Sequence, residues 1–184
     1  MPQFDASSPF LREATRLQAV QKGTAQAVGR AVSTLVRRLP VEARRDIQTE
    51  YNLPAGRISQ DLSATSNEST VTLTGKSRAI GLEAFSGQWR GPNSEGASAK
   101  VFTGQGAHVY AGTFIAVGKS GNRQIFSRKI VGGRRVGRLP LRALFGPNVA
   151  DMLRKGDREE RLADFAQITL SVEIDRLLQL TQPT

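Results

Sequence analysis

The chain has 184 residues, 26 of them basic and 16 acidic, for a formal net charge of +10. That balance favours polyanionic partners: nucleic acid, an anionic membrane face or an acidic protein surface. It has no cysteine and one histidine, His108, which excludes disulfides, thiolate metal sites, cysteine nucleophiles and multi-histidine metal centres.

Length and a hydrophobic content of 39% fit a folded chain with much polar surface, one that buries roughly 70% of its unfolded surface. Residues 1–62 read as an N-terminal helical region and 63–184 as an α+β body, together one domain. Met1 to Pro9 lacks the basic and apolar regions of a signal peptide, and no run approaches the roughly 18 apolar residues of a membrane span. No membrane partner is expected, and the chain is expected in a cytoplasm or in a particle assembled there.

Ser7 or Ser8 before Pro9 is a helix start, with proline in the first turn. Phe10, Ala14, Leu17, Val28, Ala31 and Leu35 recur at helical spacing, widened by Val20, Ala27 and Val32. Gln21 and Thr24 interrupt this stripe, and Gly23 or Gly29 is a candidate bend. Leu39-Pro40 is expected to end the helix near Arg38, because a residue before proline avoids the helical region. A second helix is expected from Val41 to Tyr51, stopped by Asn52-Leu53-Pro54. Residues 54–62 suggest another turn, with Ile58 and Leu62 inward, and the polar stretch Ser63 to Thr70 reads as a loop.

The period then changes. Val71 and Leu73 alternate with threonines, as a strand does. Ile80, Leu82 and Ala84 suggest a second strand, and Gly87 to Ser98 a long loop. Ala99 to Phe102, Val109 to Val117 and Gln124 to Phe126 suggest further strands, the last two joined through Ser120-Gly121-Asn122. Ile130 to Arg138 reads as an exposed loop and Leu141 to Leu144 as a helical turn. Asn148 to Leu153 reads as a short helix. Asp157 caps a last helix to about Leu180, with a broad apolar face that includes Leu162, Phe165, Ile168 and Val172. The expected fold is α+β: N-terminal helices, a central, mainly antiparallel sheet with long loops, and a long C-terminal helix packed on the sheet.

Few residues suggest chemistry. Glu159 and Glu160 fall in the first turn of the last helix, where its dipole favours anions. His108 would need a nucleophile and an orienting acid to act as a base, and no nucleophile motif lies near it. Gly104-Gln105-Gly106 and Gly132-Gly133 lack the spacing of a dinucleotide or P-loop motif. No catalytic, cofactor or metal residues are assigned.

The basic middle is more informative. Nine basic residues and no acidic one lie between Glu95 and Asp151. Arg123, Arg128, Lys129, Arg134, Arg135 and Arg138 are the candidates to face DNA or an acidic partner; the competing reading is a solvated surface paired with acids of the terminal helices. Trp89, in a glycine-rich loop, is either an exposed interface anchor or folded over the sheet. Leu35 and Phe165, on the apolar faces of the first and last helices, are further interface candidates.

The stretch Arg138-Leu139-Pro140-Leu141-Arg142-Ala143-Leu144-Phe145-Gly146-Pro147-Asn148-Val149-Ala150-Asp151-Met152-Leu153 resembles the minor tail protein Z family of lambda-like tailed phages. The Ala- and Arg-rich helix Ala25 to Arg38, the stop at Asn52-Leu53-Pro54, the strand Gly112 to Ala116 and the segment Phe126-Ser127-Arg128-Lys129 are similar too. The likeness covers most of residues 20–180. It implies a tail completion protein at the head-proximal end of the tail tube, forming a ring, often of six subunits, and enabling head–tail joining. The implied partners are copies of itself, the tail tube, tail terminator or neck proteins, and DNA passing through the channel; the implied location is the virion. The family has no catalytic residues to carry over. A basic nucleic-acid-binding module is the alternative.

Overall fold

The computed structural model describes residues 8–67, 70–118, 121–128, 130–131, 134–135, 137 and 140–181, and side chains from 23 to 180 except at 130–131 and 134–135. The described elements run α1 (Ser8–Glu50), α2 (Ala55–Gln60), β1 (Leu62–Ser66), β2 (Val71–Gly75), β3 (Ile80–Gly81), a 3-10 turn (Leu82–Ala84), β4 (Gly96–Ala99), β5 (His108–Ala111) and β6 (Thr113–Val117). They continue as β7 (Arg123–Arg128), β8 (Ile130–Val131), β9 (Arg134–Arg135), β10 (Leu141–Ala143), β11 (Phe145–Gly146), α3 (Val149–Arg154) and α4 (Arg158–Thr181). The fold is α+β, with a long helix near each end.

The break expected at Leu39-Pro40 is absent: α1 is one helix of 43 residues, about 65 Å long. Pro40 removes one N–H and crowds the preceding turn. The buried residues Ala27, Ala31, Leu35, Leu39, Ala43 and Ile47 nevertheless recur every fourth position straight through it. Burial of Leu39 and Ala43 on either side outweighs the local cost of one proline. Tyr51 continues the row and stacks on Phe102, with ring centroids 5.2 Å apart.

Among the described residues every strand pairing is antiparallel, in five small sheets: β10–β7–β6, β1–β2, β3–β11, β4–β5 and β8–β9. Residues expected as a loop, Ser63 to Ser66, belong to β1 and pair with β2 in the register Leu62↔Gly75 to Ser66↔Val71. Serine and threonine on a largely exposed ribbon carry no apolar alternation, so the pattern hides the strand. The turn expected at Leu141 to Leu144 is extended: β10 pairs with β7, and the Leu144 N–H donates to the Ile125 carbonyl at 2.9 Å. Three residues are too few to separate a period of two from one of 3.6. Within the expected loop Ile130 to Arg138, β8 and β9 pair as a two-residue ribbon.

The principal core draws Leu35, Leu39 and Ile47 from α1, Ile58 and Leu62 after it, Ile80 and Phe85, Ile125 from β7, and Met152 and Leu162 from the C-terminal helices. A second, smaller cluster joins Ala27 and Ala31 to Leu177. Helix α4 runs antiparallel to α1 and meets it along most of its length; near its start Leu162, Ala163 and Ala166 also face Val71 and Leu73 of β2.

Candidate interaction surfaces

The first surface is built on the β6–β7 hairpin. Its register, Phe114↔Phe126 and Val117↔Arg123, stacks two aromatic rings across the strands with centroids 6.3 Å apart. The Arg128 guanidinium stands 5.0 Å from the Phe114 centroid, a cation–π contact. Gln88 pairs with Ser98 through two backbone hydrogen bonds of 2.8 Å. This pairing aims the next residue, Trp89, at Phe114, 6.3 Å away. Trp89 is thus folded onto the sheet and still 37% exposed. With Val117 and Arg123 it lines a shallow depression. Arg123 reaches Glu83 at 3.6 Å.

The second surface is a groove between α1 and α4, lined by Gln26, Arg30, Ser33, Thr34, Arg37 and Arg176. Arg176 holds Glu173 with two hydrogen bonds, of 3.0 and 2.7 Å. Those bonds hold the Glu173 carboxyl below its ordinary range, and the same contact raises Arg176. Arg30 and Arg37 make no ion pair among the described residues, so the groove is net positive.

At the far end of the helix pair sits an ion cluster. Arg158, only 2% exposed, donates to Asp46 at 3.2 Å, to Glu50 at 3.1 Å and to the Met152 carbonyl. Lys155 pairs with Glu50 and lies over the Tyr51 and Phe102 rings. Arg161 bridges Asp46 and Asp157. The cluster ties α1 to the α3–α4 junction. Each buried charge has a partner, so it is a structural clamp rather than an open site.

The third surface is the outer side of α4. Its inner side is spent on α1 and the core, through Leu162, Leu170 and Leu177. Ile168 and Val172 point the other way, 63% and 61% exposed. The acids around them, Glu160, Asp164 and Asp175, are exposed and make no ion pair among the described residues.

The candidates named from sequence scatter. Leu35 lies in the core at 3% exposure and is closed to a partner, because the face expected to meet a neighbour is covered by α4 of the same chain. Phe165 is half-buried against that core. Arg123 and Arg128 share the hairpin with Trp89. Arg134 and Arg135 fall on β9, without described side chains, and Lys129 and Arg138 lie outside the described residues. His108 is exposed and packs edge-on against Tyr110, 4.8 Å away. Sequence reasoning missed the Arg30–Arg37 pair, marked by a seven-residue spacing, and Asp164 beside Ile168. It placed Glu160 only as a first-turn acid favoured by the helix dipole.

Among the described residues no cluster of acids and histidine is placed to hold a metal, and no helix is long and apolar enough to cross a membrane. No family model matches the chain, nor does any curated protein or solved structure.

Proposed function

We propose that this chain is a non-catalytic structural protein of a tailed-phage virion: a tail completion subunit that assembles as a ring, often of six copies, at the head-proximal end of the tail tube and enables head–tail joining. The observation that carries this reading is what the family-like stretch does. Its described residues build the fold. Gly146 lies against Phe85 so closely that a Cβ there would sit 2.6 Å from the ring. Asn148 caps α3 by accepting from the Asp151 N–H at 2.9 Å. Val149 and Met152 are fully buried. A motif of this kind specifies a scaffold, and a likeness to tail proteins through it bears on architecture.

A ring needs two different complementary patches on each subunit. The inner faces of α1 and α4 are used within the chain, so the outer side of α4 and the hairpin surface are left for neighbours. Electron microscopy of the purified protein, alone and with tail tubes, is the test. Rings or capped tube ends are expected; dispersed single subunits in both samples would overturn the reading.

The alternative, a nucleic-acid-binding module, is favoured by the groove carrying Arg30 and Arg37. It predicts duplex binding whose affinity falls steeply with salt, with a slope reduced by roughly one per phosphate contact removed in Arg30→Ala or Arg37→Ala. Absence of duplex binding at low salt would dismiss it.

A further inference from the structure

We infer that the outer side of α4 docks onto the hairpin surface of a second copy of this chain, head to tail. The inference rests on the tail-ring reading and names its interface. In a chain with ten more positive than negative charges, an acid has arginines in excess to pair with. Glu173, Asp157, Glu83, Asp61, Asp46 and Glu50 all do so. Six described acids do not pair. Glu95, Asp151 and Glu159 lie elsewhere, whereas Glu160, Asp164 and Asp175 share the α4 side that exposes Ile168 and Val172. At 100° per residue, Glu160, Asp164, Ile168, Val172 and Asp175 fall within about a third of the helix circumference. Arg161 falls in the same sector, with its guanidinium bound to Asp46 and Asp157. The result is an apolar centre with an acidic rim on a helix already packed on its other side.

The hairpin surface has the opposite character. Trp89 and Val117, the latter 65% exposed, supply the apolar part. Arg123 shares their depression, and exposed Arg90 follows Trp89 directly. Arg123 has only a long, solvent-exposed contact with Glu83, a pair of small worth that a neighbour's carboxylate can replace. An aromatic anchor with arginine beside it is a common composition for an interface centre. An acidic–apolar face and a basic–apolar face on one subunit make a heterologous contact, the kind that closes rings. An acidic face also repels its own copy, which disfavours α4 meeting α4.

Sedimentation of the full-length protein tests this. Wild type is expected to be oligomeric. Asp164→Arg with Glu160→Arg, and separately Arg123→Glu with Arg90→Glu, are each expected to weaken association by roughly tenfold or more. The four changes combined in one chain are expected to restore it, because both faces then change sign together. All these side chains are exposed, so thermal midpoints near wild type will show that the variants fold. The native chain has no cysteine, which allows a second readout: Asp164→Cys and Val117→Cys chains, mixed and oxidised, should yield a heterodimer. Oligomers unaffected by either charge reversal, or weakened and not restored by the combination, overturn the interface while leaving the ring reading intact. A wild type that stays monomeric overturns the second copy as occupant, and microscopy with tail tubes then judges the tail-end reading separately.

Discussion

Arg158 is the side chain on which the end of the helix pair depends. It is almost wholly buried and satisfies two carboxylates and one carbonyl at once. Arg158→Met keeps volume and removes the charge, leaving Asp46, Glu50 and the Met152 carbonyl short of donors. Both acids keep some solvent access, so we expect a loss of about 2–3 kcal/mol, toward the low end for breaking a buried pair. Urea denaturation reads this as a lower midpoint at unchanged slope; an unchanged midpoint would mean that the clamp contributes nothing net. Gly146 poses a packing question instead. Gly146→Ala drives a methyl into the Phe85 ring, and we expect a cost of about 1–3 kcal/mol from overpacking. Phe85→Leu, which makes room there, should cost less in the Gly146→Ala background than alone.

At the scale of elements, α1 poses the main conflict between local and tertiary preference. Pro40 inside a continuous helix forgoes a hydrogen bond and strains the preceding turn, so Pro40→Ala should stabilise the fold by about 1–3 kcal/mol. A thermal midpoint below wild type would instead show that the proline sets a bend on which packing relies. Most helices and several strands were legible in the sequence, because repeated apolar spacing at α1, β6, β7 and α4 reports burial directly. The proline rule misled at Leu39 because it weighs two residues, while the row Ala27 to Ile47 weighs six. Strands β1 and β10 were missed because their side chains are polar or too few to show a period; their pairing is dictated by β2 and β7, which sequence order alone does not reveal. Of the site candidates, Trp89, Arg123 and Arg128 came together because they flank one hairpin. Leu35 failed because an apolar helix face looks the same in sequence whether its cover is the same chain or another.

For the whole molecule, ion pairs set how stability responds to pH. The hydrogen bond from Lys155 holds the Glu50 carboxyl below its ordinary 4.5, so the folded chain binds that proton less readily than the unfolded one. Its stabilising effect is complete above pH 4.5 and disappears as pH falls through the lowered folded value. Arg161 lowers Asp157 and Arg176 lowers Glu173, so both act in the same direction. Glu50 in turn raises Lys155 above its ordinary 10.5; that contribution is complete below 10.5 and is lost as pH rises past the raised value. Urea midpoints should therefore drop below pH 4.5, and drop less in Glu50→Gln. An equal acid-side loss in that variant would place the proton-linked stability elsewhere. The two ends of the α1–α4 pair differ in how they are joined. One end carries the buried clamp and the large core, and the other carries two alanines against Leu177. Amide protons should accordingly exchange with solvent in a graded order, fastest around Ala27 and slowest around Ile47, so that the pair opens like a clothes-peg with its spring at the Arg158 end.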